Sequence, residues 1–192
     1  VGQRTVLDVL DAEQELFTDF SLYVGLIVES AQLYHRTEAL AQRDSLTDLY
    51  NKRRFTESLA HEVDRARAGD LQVALILLDV DDFKLYNDAH GHPAGDAALQ
   101  KVAEILVGNT RADDVVARVG GEEFAVVLPA TGREGARRVA ETLRETTEAT
   151  VFGGEGTEGH LTLSLGVAVF PDDAADPDAL VAQADAALYR GK

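Results

Sequence analysis

The apolar positions of this chain fall into short unbroken runs and helical spacings, and together they predict most of its elements. Val73 to Leu78 is a continuous Val-Ala-Leu-Ile-Leu-Leu. A run so short and so apolar predicts, within Leu71 to Val80, a strand buried on both faces and hence central in a sheet. Phe55, Leu59 and Val63 lie four residues apart, which predicts a helix from Lys52 to about Ala68, ended by Gly69. Leu99, Val102, Ala103 and Leu106 follow the i, i+3, i+4, i+7 spacing of a second helix, and Ala136, Val139, Ala140 and Leu143 mark a third. Leu161 to Phe170 predicts a further strand and Pro177 to Tyr189 a last helix, with the Gly-rich stretch 153–159 as a loop before them. Val115 to Leu128 predicts two strands closed by Gly120-Gly121, a two-residue hairpin loop whose glycines can both take positive φ. This order is not the steady strand–helix alternation of an all-parallel fold. The expected class is therefore α/β, a central mixed β-sheet flanked by helices.

Upstream, residues 5–10 read as a short strand, and Thr18-Asp19 can cap a long helix to about Gln42, with no Pro and only Gly25 against it. Leu26, Leu33 and Leu40 recur every seven residues, the spacing of a parallel two-helix stalk. Tyr23, Ser30 and Thr37 at the companion positions weaken that seam, and the alternative is one helix packed on its own domain. Three segments follow: 1–19, a helix 20–43, and one full domain, 44–192.

Charge narrows the partners. A formal net charge of −16 repels nucleic acid and anionic membranes, so handling a phosphate calls for metal ions. No cysteine is present, which excludes disulfides and thiolate sites and suits a reducing compartment; the expected location is the cytoplasm. The apolar runs fall far short of the ~20 residues of a membrane span. With no initiator Met and a stop at Gly191-Lys192, the chain reads as a piece of a longer one, truncated at its C-terminus.

Candidate chemistry gathers on carboxylates. Asp79 ends the predicted central strand, where open α/β sheets place ligands, and Glu122 and Glu123 follow the Gly-Gly turn at once. If the hairpin pairs beside the central strand, Asp79 and one Glu converge on a hard cation; Mg²⁺ takes one or two carboxylates plus substrate phosphates. Rival motifs fail. Asp79-Val-Asp81-Asp82 opens like an EF-hand, but Lys84 stands at position 6 and His90 at position 12. Gly154 to Gly159 has dinucleotide-binding spacing but sits between a helix and a strand, with no helix N-terminus for a pyrophosphate. There is no P-loop, and the five histidines lack zinc-ligand spacing.

Arg118-Val-Gly-Gly-Glu-Glu-Phe124 resembles the signature of the diguanylate cyclases, the GGDEF-domain family, in its Gly-Gly-Glu-Glu-Phe form. The likeness extends to Asp44-Ser-Leu-Thr-Asp-Leu-Tyr-Asn-Lys-Arg-Arg-Phe55, Asp79-Val-Asp-Asp-Phe-Lys-Leu-Tyr-Asn-Asp88 and His90-Gly-His-Pro-Ala-Gly-Asp96. Leu161-Thr-Leu-Ser-Leu-Gly-Val-Ala168 and Ala184-Asp-Ala-Ala-Leu-Tyr189 also match, in family order. Residues 1–40 are similar, over a short stretch, to the end of a GAF-type sensor domain running into a signalling helix.

The resemblance implies a fold like the nucleotidyl-cyclase and polymerase palm. It also implies condensation of two GTP into cyclic di-GMP by a dimer that meets face to face. It implies two Mg²⁺ or Mn²⁺ per active site, held by Asp79, the Val80 carbonyl and Glu122, with Glu123 a further candidate ligand. Glu122 is the candidate to help deprotonate the ribose 3′-hydroxyl. Phe83 and Lys84 match the phosphate-binding turn, Lys192 a C-terminal phosphate lysine, and Asn87 and Asp96 the guanine readers. Arg111-Ala-Asp-Asp114 matches the family's Arg-x-x-Asp product-inhibition site. The alternative is a catalytically silent receptor for cyclic di-GMP or GTP.

Overall fold

The computed structural model describes residues 42–153 and 159–191, together with Phe20 and Val24. The chain divides into two units, Val1–Ala41 and Gln42–Lys192. The strand at 5–10, the leucine seam of the stalk, most of the loop at 153–159 and Lys192 lie outside the described residues.

In the second unit a short strand β1 (Tyr50–Asn51) leads into helix α1 (Lys52–Gly69), then strand β2 (Val73–Val80), helices α2 (Phe83–His90) and α3 (His92–Gly108), and strands β3 (Val115–Arg118) and β4 (Glu123–Pro129). Helix α4 (Arg133–Glu148), strand β5 (Leu163–Phe170) and helix α5 (Pro177–Gly191) complete it. The sheet order is β1-β3-β4-β2-β5. β1 runs parallel to β3 and the other neighbours are antiparallel, the mixed sheet expected.

β2 is buried along its whole length because both faces are covered. Val73, Leu75 and Leu77 pack with Phe55, Leu59 and Val63 of α1 and Leu180, Ala184 and Leu188 of α5. Ala74, Ile76, Leu78 and Val80 pack with Phe83 and Tyr86 of α2, Leu99, Val102 and Leu106 of α3, and Leu143 of α4. Each fully buried aliphatic side chain contributes roughly 1.5–3 kcal/mol, so this double cover pins the strand that carries Asp79.

Local details depart from expectation. α1 is capped by the Asn51 side chain, which accepts from the Arg54 N–H at 3.0 Å. It ends one residue late: Asp70, not Gly69, takes the left-handed conformation (φ 52°) and donates its N–H to the Ala66 carbonyl. A short polar side chain tolerates that region better than most. Helix α2 and the edge strand β1 are additions to the predicted elements.

The hairpin differs most. β3 and β4 pair only as far as Arg118 opposite Phe124, leaving a five-residue connection between that pair, and neither Gly120 nor Gly121 has positive φ. The Val119 and Gly120 N–H groups both donate to the Glu123 carbonyl, at 2.9 and 3.3 Å. A Cβ at Gly120 would overlap the Glu123 carboxylate and come within 3.1 Å of the Glu123 Cβ, so a side chain there would displace Glu123.

Candidate functional site

The antiparallel register of β2 and β4 sets Asp79 directly opposite Glu123. Both line one cavity of ≈ 460 Å³ together with Asp185, Tyr189 and Arg190 of α5. Asp79 is 8% exposed. A hard cation between the two carboxylates would be held from both strands at once. Among the described residues no group of three His, Asp or Glu side chains is placed to hold a metal. The donor set is two carboxylates open to a ligand's own oxygens, which suits Mg²⁺ with a polyphosphate.

Glu122 stands one residue before β4, half-buried, and its carbonyl accepts from the Val80 N–H at 3.2 Å, tying the turn to the end of β2. Asp81 is turned to β5, accepting from Thr162 Oγ1 at 2.7 Å and Ser164 Oγ at 2.6 Å. A roomier cavity, ≈ 760 Å³, runs along β5 past Arg137, Arg138 and Arg144 of α4. It contains none of the predicted site residues, so the chemistry of the wall, and not volume, locates the site.

A second group forms where α2 meets α3. Phe83 and Lys84 open α2, whose N-terminus carries no side-chain cap, so its first N–H groups are available to an anion. Gly91, at φ 83°, reverses the chain between the helices. A Cβ at Gly95 would overlap Asn87 Oδ1 and come within 3.2 Å of the Phe83 ring. The missing Cβ thus brings the Asn87 carboxamide against the residue preceding Asp96. Lys84 is exposed one turn before Asn87.

The turn is clamped from outside. Arg118 donates through Nε and Nη2 to the Gly121 carbonyl at 3.1 and 2.7 Å, and through Nη1 to Asp44 Oδ1 at 3.0 Å. Asp44 also accepts from the Thr47 N–H at 2.9 Å and Oγ1 at 2.7 Å. Burial acts to raise the Asp44 carboxyl, but the hydrogen bonds from Thr47 and Arg118 outweigh it and hold the group below its ordinary value. A depressed folded-state value means stability that is present above the unfolded-state value and lost as pH falls through the folded one. Asp44→Asn should therefore cost about 1–2 kcal/mol at neutral pH, the worth of a charged hydrogen bond. Urea melts should show its difference from wild type shrinking as pH falls below about 4; a pH-independent difference would contradict the assignment.

Arg111 and Asp114 sit at the far end of β3 from the turn. Their contact is through the main chain: Asp114 Oδ2 accepts from the Arg111 N–H at 2.7 Å, and the Asp114 N–H donates back to the Arg111 carbonyl at 3.1 Å. The Arg111 guanidinium is left exposed. Burial pushes the Asp114 carboxyl up, against the Arg111 N–H and charge. Sequence reasoning missed Asp44, Arg118, Asp185 and Arg190 as site neighbours. Asp44, Arg118 and Asp185 stand inside the motifs that carry the resemblance, and Arg190 was legible only as a basic residue in the last helical turn.

A five-stranded mixed sheet with an acidic turn set against the end of β2, an interior strand one place from the sheet's edge, defines an α/β domain of the nucleotidyl-cyclase palm type. Residues 41–192 match the family described as diguanylate cyclase, GGDEF domain, and the chain belongs to that family. The diguanylate cyclase TpbB of Pseudomonas aeruginosa is 37% identical over 190 residues, 98% of this chain and 41% of TpbB. A sensory box/GGDEF family protein from Caulobacter crescentus superposes with a TM-score of 0.74 at 40% identity, covering 79% of this chain and 97% of that one. The GGDEF domain of DgcB from the same organism, in complex with c-di-GMP, gives 0.74 at 30% identity, covering 78% and 86%. The chain spans 19% to 45% of the length of the first curated relatives it matches. Among the described residues no helix is long and apolar enough to cross a membrane.

Proposed function

We propose that this chain carries the catalytic domain of a diguanylate cyclase that converts two GTP into one cyclic di-GMP and two pyrophosphates. The observation that carries this reading is the in-register pair Asp79–Glu123 in one cavity, within a family whose relatives include named diguanylate cyclases. Asp79 and Glu123, with the Val80 carbonyl and Glu122 beside them, are the groups that would hold Mg²⁺ or Mn²⁺, two per site. When bound, the ions neutralise the triphosphate and the charge developing on the leaving oxygen.

The chain's own residues have separate tasks. The N–H groups at the start of α2, with Lys84, receive the phosphates; Lys192 is the further cation for them. Asn87 and Asp96 read guanine: the carboxylate accepts from N1–H and N2–H, donors that adenine lacks, so ATP leaves a polar group unpaired. Glu122, at the turn, takes the proton of the attacking 3′-hydroxyl. Each hydroxyl attacks the other nucleotide's α-phosphorus, forming a P–O bond as the bond to pyrophosphate breaks. One domain holds one GTP, so two copies must face each other, with the N-terminal helix as the dimerising stalk. Arg111 and Asp114 bind the product and restrain the enzyme.

Incubation of the chain with GTP and Mg²⁺ should yield pyrophosphate and cyclic di-GMP in a 2:1 ratio. The rate should rise with the square of protein concentration where monomer dominates, and ATP should give no cyclic product. Tight binding of cyclic di-GMP by a dimer that forms none would move the assignment to a receptor.

A further inference from the structure

The cavity at the Arg111–Asp114 turn has a polar wall that the Arg-x-x-Asp pattern does not include. Arg43, Arg111 and Asp114 face one space of ≈ 210 Å³, backed by Leu49, Tyr50 and Val116. Arg43 comes from a separate segment and is held in place. Its guanidinium carbon lies 5.0 Å from the centroid of the Tyr50 ring, and Nη1 donates to the Asp48 carbonyl. Among the described residues its ion-pair partner is Asp48, 3.6 Å away, whose side chain is 87% exposed, and a surface pair of that kind neutralises little.

Two guanidiniums on one small cavity, in a chain of net charge −16, mark a place for an anion. Arg43 also lines an adjoining groove of ≈ 740 Å³ with Leu46, Gln100 and Glu104. The first space can take a phosphate and the groove beside it has room for a base. A planar guanidinium can fork a phosphate or stack on a purine.

We propose that Arg43 is a third ligand of the product site, gripping the cyclic dinucleotide together with Arg111 and Asp114. The proposal rests on the reading of Arg111 and Asp114 given above. It carries a mechanical consequence. Arg43 directly precedes Asp44, whose carboxylate holds Arg118, which in turn holds the Gly121 carbonyl of the catalytic turn. The side chain that grips product therefore adjoins the clamp on the turn, giving inhibition a route inside one domain.

Calorimetric titration of the whole chain with cyclic di-GMP tests this. Arg43→Ala should weaken binding tenfold or more, Arg43→Lys should recover part of the loss, and Arg111→Ala should weaken it at least as much. Asp48→Asn, which removes the neighbouring charge, suits the left-handed conformation at that position (φ 56°) and keeps the guanidinium, should stay within twofold of wild type. On binding, the amides of 118–123 should exchange more slowly in wild type and not in Arg43→Ala. Wild-type affinity in Arg43→Ala with loss in Arg111→Ala overturns the proposal and leaves the product site standing. An Asp48→Asn loss as large as that of Arg43→Ala also overturns it, because the fold of the 44–51 turn would then be responsible. No binding by wild type, or full binding by Arg111→Ala, overturns the product site and this proposal together.

Discussion

Asp79→Asn is expected to lower cyclic di-GMP formation by about 10³-fold or more while the domain stays folded. Asparagine keeps the shape of the side chain at the end of β2 and removes the negative charge. Losing a ligand that stabilises transition-state charge costs several kcal/mol, and each 1.36 kcal/mol is a factor of ten in rate. A second readout separates chemistry from folding. Asp79 faces Glu123 in register, so a cation held between them stabilises the native state by mass action. Mg²⁺ with a non-hydrolysable GTP analogue should raise the melting temperature of wild type, and should raise that of Asp79→Asn much less. A variant that retains a tenth of wild-type activity would remove Asp79 from the centre of the mechanism.

What the sequence discloses and what it hides follows from the range of the interactions. The run Val73–Leu78 and the spacings in α1, α3 and α4 were legible because burial of a face imposes its period locally. Helix α2 was not, since only Phe83 and Tyr86 of its eight residues are buried and no cap marks its start. The Gly120-Gly121 pair suggested a tight turn, whereas the Glu123 carboxylate folds over Gly120, a contact no dipeptide rule contains, and Gly121 borders open space. The site itself depends on register. Which glutamate meets Asp79 is decided by how β4 pairs with β2, and one residue of slip would turn the other face inward. Asp44 and Arg118 stand 74 residues apart, and the Arg43–Tyr50 bridge together with the parallel pairing of β1 with β3 brings their segments together. Asn87 and Asp96 were named by resemblance, and Gly95 supplies the physical reason the Asn87 carboxamide lies against the helix that carries Asp96.

The same logic of close approach makes Gly166 the position where a small substitution should do most harm to the fold. It lies within β5 opposite Leu77, on the face covered by α5. A Cβ there would overlap the Ala184 carbonyl oxygen and the Leu188 backbone nitrogen, and would stand 2.8 Å from the Leu188 Cβ. The first two are helix backbone atoms and cannot rotate aside, so relief requires α5 to move off the sheet. That movement would loosen the packing of Leu180, Ala184 and Leu188 and carry Asp185 and Arg190 away from the Asp79–Glu123 cavity. Overpacking of this kind costs about 1–3 kcal/mol, occasionally more. Gly166→Ala should fall at the top of that range, lowering the melting temperature by roughly 6–12 °C in a domain of this size, and Gly166→Val should exceed it. Cyclase activity should drop with α5 displaced even at temperatures where Gly166→Ala remains folded by circular dichroism. A melting temperature within about 2 °C of wild type for Gly166→Ala, less than 1 kcal/mol on the same scale, would show that α5 yields without cost and that the glycine is not held there by the helix.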